Sequence, residues 1–493
     1  MLSTLTGDIR KLADDGFMAA FSPDGRQVAY ITGLTAEIWL MGPKGENPRR
    51  VVSAGAGGVF SSLSWSPDGT RLACLKFASS DFSHSTVEIR DLVGGPPEAV
   101  VTAPRVSAAT WAPDGRLLFA RGDPAPTQES YGLWELALDP QTAKPAGAPR
   151  QLAAWLSQSV GSMSVSRDGR RVMMTRGRTR SNVYVGEVSA VAGLTNVRQV
   201  TEDDRVNWPS AWTPDGRAVL FHSDRNGDFD LLRQGLTDRE AQTVLLGPEE
   251  DRLARISPDG KWLLYLAQAS LATDSTPMRI RVMRMPAGGG PAEAVLETAG
   301  NWGRGEAIVA VDGDYNWSFP DFRCPAAPGS GPCVIAEAAG PTQTVFTAFD
   351  PVSGRKGEVA RVDLPVDWLA WDLSPDGTRV AYATFAFFSF SAQPLRVLTL
   401  ADKSERKIPL KNWLNPTAIT WAPSGQEVYV TNWSVRGGTL FSVDMTGRLR
   451  VLRDLSGKGL YLGALRPSPD GRLLAFGEAT AGSNAWVLDA QQR

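Results

Sequence analysis

The chain has 493 residues, with 51 basic and 53 acidic side chains and a formal net charge of −2. That balance lacks the concentrated positive charge that holds a polyanion, so no nucleic-acid partner is expected. Its 49 glycines, 34 prolines and 16 tryptophans suit many tight turns and short aromatic-bearing strands. No apolar run approaches the roughly eighteen residues of a membrane span, and residues 1–10 lack the basic-then-apolar order of a secretion signal. No membrane insertion by this chain is therefore expected.

In chain order, a short isolated strand, D-I-R-K-L at residues 8–12, comes first. A turn of the form x-P-D-G then recurs at Asp24, Asp68, Asp114, Asp215, Asp259, Asp376 and Asp470, with variants S-R-D-G at Asp168 and A-P-S-G at Ser424. Proline presets φ at the first turn position and glycine accepts the positive φ that follows, so each is a reversal between strands. Successive turns lie 44 to 54 residues apart, except for one interval of 117 between Asp259 and Asp376. That interval predicts a hidden tenth unit around residues 319–338, in which the loop from Cys324 to Cys333 replaces the proline-aspartate turn.

Each unit reads as four strands, and radial repetition of four-stranded sheets at this period is a β-propeller. The expected fold is all-β, about ten four-stranded antiparallel blades over residues 1–493, as a single ring or as two abutting discs dividing near residue 270. The last repeat supplies only three strands, so the strand at 8–12 is expected to close the last blade, 478–488, against the strand containing Trp486. Bulky residues before the turns, Phe21, Trp65, Trp111, Val165, Trp212, Ile256, Leu373 and Trp421, are expected to fill the space between stacked sheets.

The unit x-P-D-G-[RKT], an apolar strand, S-D-R-N-G at 223–227 and a second apolar strand resembles the TolB-like or WD-like bacterial propeller family over almost the whole chain. The segment 324–362, ending D-P-V-S-G-R-K-G-E, is similar to propeller regions of acidobacterial serine/threonine kinases and winged-helix regulators. The resemblance implies a sensor or partner-binding module, often on the outer, periplasmic side of the cytoplasmic membrane. Cys324 and Cys333 bracket a turn-rich loop that either closes as a disulfide or holds two reduced thiols, and the resemblance adds weight to the disulfide.

Catalytic signatures are sparse. No G-x-S-x-G elbow and no G-x-x-x-x-G-K-[ST] loop occurs, and His84 and His222 are the only histidines. Both are read as surface or cap residues. The acidic turn holding Asp224, Asp228 and Asp230 has its glycine fourth and no glutamate twelfth, so it fails the calcium-loop template and reads as a hairpin turn. No catalytic, cofactor-binding or metal-binding residue is assigned; calcium or another divalent cation is the weaker alternative.

The leading expectation is a non-enzymatic propeller that binds a protein or peptide as sensor or scaffold. Two alternatives remain: the propeller part of a prolyl-oligopeptidase-like serine peptidase without its catalytic domain, and a metal-dependent propeller enzyme. The candidate partner-binding face carries Glu202, Asp203, Asp204, Asp224, Asp228, Glu249, Glu250 and Asp251. These acids have few bases beside them in sequence and would draw a basic peptide or a divalent cation.

Overall fold

The computed structural model describes residues 10–489 apart from 14–15, 33–36, 55–58, 78–84, 104–105, 123–129, 157–158, 227, 270–278, 300–320, 327–328, 341–342, 365–368, 385–393, 411–415, 435–436 and 459. Among the described residues every regular element is a strand. Residues 8–9, His84 and Gly227 lie outside them.

The turns form as their chemistry dictates. At the first, Ser22 Oγ donates to Asp24 Oδ1 at 2.6 Å, the same oxygen accepts the Arg26 amide at 3.0 Å, and Gly25 N–H donates to the Ser22 carbonyl at 2.9 Å. Gly25 holds φ at 69°, which a Cβ would resist. The hydroxyl-to-aspartate bond recurs at Asp68, Asp168, Asp215, Asp259, Asp376 and Asp470. Donation from Ser22 and the Arg26 amide holds the Asp24 carboxyl below its ordinary range. These aspartates are turn formers.

Consecutive strands then pair antiparallel into eight four-stranded sheets, at residues 17–53, 59–103, 106–156, 207–245, 249–299, 321–362, 369–408 and 416–454. The expected hidden unit is among them: Asp321–Arg323, Cys333–Ala338, Thr344–Asp350 and Gly354–Val362 form one sheet, and Cys324 and Cys333 are joined as a disulfide. The remaining strands, Ser159–Val165, Arg171–Ser189, Gly193–Gln199, Leu460–Pro467 and Leu473–Asp489, share a composite sheet.

That composite serves as two blades. Ser159–Val165 pairs with Arg171–Ser189 over Val172–Gly177, whereas Gly193–Gln199 pairs with it over Tyr184–Ser189 and Leu460–Pro467 pairs with Leu474–Thr480. The two long strands run in opposite directions, since Arg171 meets Asp489 at 2.8 Å and Val188 N–H donates to Arg472 O at 2.8 Å. The chain is thus an all-β propeller of about ten four-stranded antiparallel blades.

The described residues fall into two compact units, and the boundaries lie inside the long strands, after Arg178 and after Ala481. The first unit holds the three sheets between residues 17 and 156 and the blade ending in residues 482–489. The second holds the five sheets between 207 and 454 and the blade made from 179–199 and 460–481. The expected division near residue 270 is corrected. Trp262–Ala269 pairs with Arg279–Pro286, so the strands on either side of that point belong to one sheet. Residues 482–489 likewise continue the strand from Leu473 without a turn. Of the expected closing strand at 8–12, the described residues 10–12 carry no strand; Leu12, with Ala13 after it, packs on Val28, Tyr30 and Met41.

The core lies between successive sheets. Trp371 joins Val334, Phe346 and Val380, and Trp421 joins Ala381, Val397 and Val428. Trp65 Nε1 donates to Ala20 O at 2.9 Å and Trp212 Nε1 to Arg466 O at 2.8 Å, so these indoles fill the gap and also tie one sheet to the next. Phe21 is the exception, 53% exposed.

First strands share one irregularity that matters for the site. The pairing slips between Pro209 and Ala211, between Arg252 and Arg255, and between Gly463 and Arg466. Leu253 and Ala464 sit at φ of 57° and 51° within these bulges. A bulge leaves a backbone group outside the ladder and re-aims it.

Candidate functional site

The acid-bearing end of the second unit lies where Asn207–Trp212 and Glu249–Ile256 begin. Asp203 pairs with Arg225 at 2.8 Å and accepts Asn207 Nδ2 at 2.5 Å, and Asp204 pairs with Arg180 at 2.9 Å. Glu249 pairs with Arg281, and Glu250 with Arg252 at 2.7 Å. The expectation of few local bases is therefore corrected. Neighbouring strands bring arginines from outside the local sequence, Arg281 standing 32 residues from Glu249.

The other predicted residues divide. Glu202 is exposed, Asp228 half-buried, and Asp224 accepts the Val206 amide at 2.8 Å, which stitches the turn to the preceding loop. Asp230 accepts Asn226 Nδ2 at 2.9 Å. Among the described residues no group of three histidine, cysteine, aspartate or glutamate side chains is placed to hold a metal ion.

Asp251 differs from its neighbours. It is 3% exposed, and its Oδ1 has no hydrogen-bond partner among the described residues. Burial pushes its carboxyl up to about 8, with Glu249 and Asp230 adding like charge and Arg281 opposing them. The Tyr265 hydroxyl is raised by burial and by Asp251 and Glu249. Gly247 leaves one side bare: a Cβ there would stand 3.8 Å from Asp251 Oδ2.

His222 is 2% exposed, which corrects the expectation of a surface or cap residue. Its Nδ1 lies 2.9 Å from Ser210 Oγ and its ring stands edge-on to Phe229 at 5.6 Å. Ser210 is closed from solvent too.

At the turn-bearing end of the same first strands is a charged cluster that sequence reasoning missed. Arg323 pairs with Asp321 and, through Nε at 3.0 Å, with Asp372. The second oxygen of Asp372 accepts Thr420 Oγ1 at 2.9 Å and the Trp421 amide at 2.8 Å. Arg255 Nη1 and Arg466 Nε both donate to the Ser210 carbonyl, at 2.5 and 2.7 Å. Ser210, Ala254 and Leu465 lie in the three bulges, and the latter two carbonyls accept Arg255 Nη1 at 2.9 Å and Arg466 Nη1 at 2.6 Å. Burial, then Arg323, pulls Arg466 down to about 10; burial, then Arg466, lowers Arg255 well below its ordinary value.

One signal could have found this cluster. The third residue before the turn proline is Ala20, Ser64 and Thr110 in the first unit; in the second it is Ala211 and Thr420 at two turns but Arg255, Asp372 and Arg466 at the other three. Charge at one register of several first strands places it on one level.

No family model matches the sequence, and no curated protein matches it. Among solved structures the chain is similar to TolB from Acinetobacter baumannii, at 16% identity over 73% of this chain and 66% of that one, with a TM-score of 0.24. It is similar to prolyl endopeptidase, at 17% identity over 78% and 53% of the two chains, with a TM-score of 0.27. It is also similar to an oligogalacturonate lyase in complex with manganese, at 11% identity over 62% and 98%, with a TM-score of 0.36. The fold rests on the sheet topology above.

Proposed function

We propose that the chain is a non-enzymatic propeller that binds a basic segment of a protein or peptide at the acid-bearing end of its second unit, as a sensor or scaffold. The observation that carries this reading is Asp251: a buried carboxyl among Glu249, Asp230 and Tyr265, one oxygen without a donor and one side left bare by Gly247. An incoming lysine or arginine supplies the missing donor and the missing positive charge, and it favours the ionised carboxylate. Asp203 and Asp204, just ahead of Asn207–Trp212 at the same end of the unit, would steer its approach. The burial of both Ser210 and His222 supports the non-enzymatic part of the reading, since a nucleophile and its base must reach substrate.

The test is fluorescence polarisation with a labelled lysine-rich hexapeptide and an aspartate-rich one of the same length. Only the basic peptide is expected to bind, more tightly as pH rises toward 8, and less tightly with added salt. Asp251→Asn should weaken it tenfold or more, and Asp203→Asn with Asp204→Asn should slow association. Equal binding by Asp251→Asn at low salt would place the surface elsewhere, and covalent labelling of the chain by a fluorophosphonate would overturn the non-enzymatic reading.

A further inference from the structure

We infer that the turn-bearing end of the second unit holds a carboxylate between Arg255 and Arg466. Three arginines and two aspartates meet there, and Arg323 engages both aspartates. Arg255 and Arg466 are left with backbone carbonyls alone, and in each the Nη2 atom is buried with no hydrogen-bond partner among the described residues. Arg466 is 8% exposed, whereas Arg255 is partly open and gives a way in.

A guanidinium stays protonated at any physiological pH, so these two cannot escape burial by losing a proton. A buried charge without a counter-charge is costly, and a carbonyl oxygen satisfies an N–H without cancelling the charge. The two side chains converge on one oxygen, that of Ser210, which holds their guanidinium groups side by side. The five charged groups sum to one positive charge, which a monoanion cancels. A planar carboxylate has two oxygens, one for each free Nη2, and matches guanidinium geometry better than a spherical halide. The ligand is thus a carboxylate, either of a small organic acid or of a peptide chain end. The site stands at the opposite end of the first strands from Asp251, so its failure and the failure of the basic-peptide reading are told apart.

The experiment is calorimetric titration of the full chain, in Tris chloride at constant ionic strength, with acetate, inorganic phosphate, and one tripeptide as free acid and as C-terminal amide. Acetate or the free-acid tripeptide is expected to bind saturably and to raise Tm. Arg466→Gln and Arg255→Gln should each weaken binding at least tenfold while leaving lysine-peptide binding unchanged. Arg466→Lys, which keeps the charge and loses the fork, should bind a few-fold more weakly and serves if the glutamine variants do not fold. Tighter binding of the free-acid tripeptide than of its amide and of acetate assigns a chain end; binding of acetate but of neither peptide assigns a small acid. Binding of phosphate without acetate, absence of any saturable heat, or folded variants that bind acetate like the wild type would overturn the proposal.

Discussion

The indole of Trp208 lies on the bare backbone of Gly477, where a Cβ would overlap Cε3 and Cζ3 of the ring; at Gly463 a Cβ would stand 3.1 Å from Cζ3. Trp208 is wholly buried, so the ring has no room to retreat. Gly477→Ala should therefore destabilise the second unit by about 1–3 kcal/mol, the usual cost of overpacking. Gly357→Ala, with nothing within 4 Å of its Cβ, is the control and should change stability by no more than about 1 kcal/mol. Urea unfolding of both variants checks this, and equal midpoints would refute it.

Asp251 makes stability depend on pH in a defined direction. Its folded value near 8 lies above the roughly 3.9 of an unfolded aspartate, so the folded state holds a proton that the unfolded state releases. The stability tied to that proton is complete below pH 4 and is lost as pH rises through 8. Asp251→Asn, which never ionises, should match the wild type near pH 4 and exceed it in Tm by several degrees at pH 9. A Tm gap that stays constant across that range would count against the assignment.

Asp372 links three sheets through Arg323, Thr420 and the Trp421 amide. Asp372→Ala leaves Arg323 with Asp321 as its remaining carboxylate partner and strands the Thr420 hydroxyl and the Trp421 amide, and should cost about 3–5 kcal/mol. Replacing Arg323 by Met removes the same ion pair from the other side, so the double variant should lose less than the sum of the two single losses. Denaturant midpoints of the single and double variants measure the coupling; strictly additive losses would show that the pair acts independently.

The disulfide loop is also a docking element. Ala326 N–H donates to Pro375 O at 3.0 Å, and a Cβ at Gly377 would collide with the Ser330 carbonyl, so the loop rests on the next sheet's turn. Cys324→Ser with Cys333→Ser should lower stability by about 2–3 kcal/mol, the loop-closure entropy of a short ring. Dithiothreitol should produce the same shift in the wild type and none in the variant, as thermal melts would report. Cys74 takes no part, since burial pushes its thiol up to about 12.

The turns, the strand pattern, the hidden repeat and the tryptophan packing were legible because each is a local signal: Pro, Asp and Gly at fixed offsets, or one bulky residue before a turn. The division into units was not. T-R-G-R-T-R-S-N at 175–182 and A-T-A-G-S-N at 479–484 contain glycine and asparagine, which invite a turn, yet no proline or aspartate-glycine pair enforces one, and both stretches run straight. At the candidate sites the acids were visible, but the arginines that pair with Asp203, Asp204 and Glu249 come from distant parts of the chain, and only Arg252, the partner of Glu250, stands beside its acid in sequence. The Ser210 carbonyl acts through a bulge, which leaves no mark in residue type.

The two strands that pass between the units also set a clock on synthesis. Arg171 finds its partner Asp489 only after a further 318 residues have been made. At roughly 5 to 20 residues per second, the ribosome takes about a quarter of a minute to a minute over that stretch. Throughout it, Arg171–Ser189 waits with unpaired backbone groups along the edge that Leu473–Asp489 will cover, a template for wrong pairing with any nearby strand. When that late strand arrives it completes a blade in each unit at once, so neither half of the molecule reaches its finished state before the other.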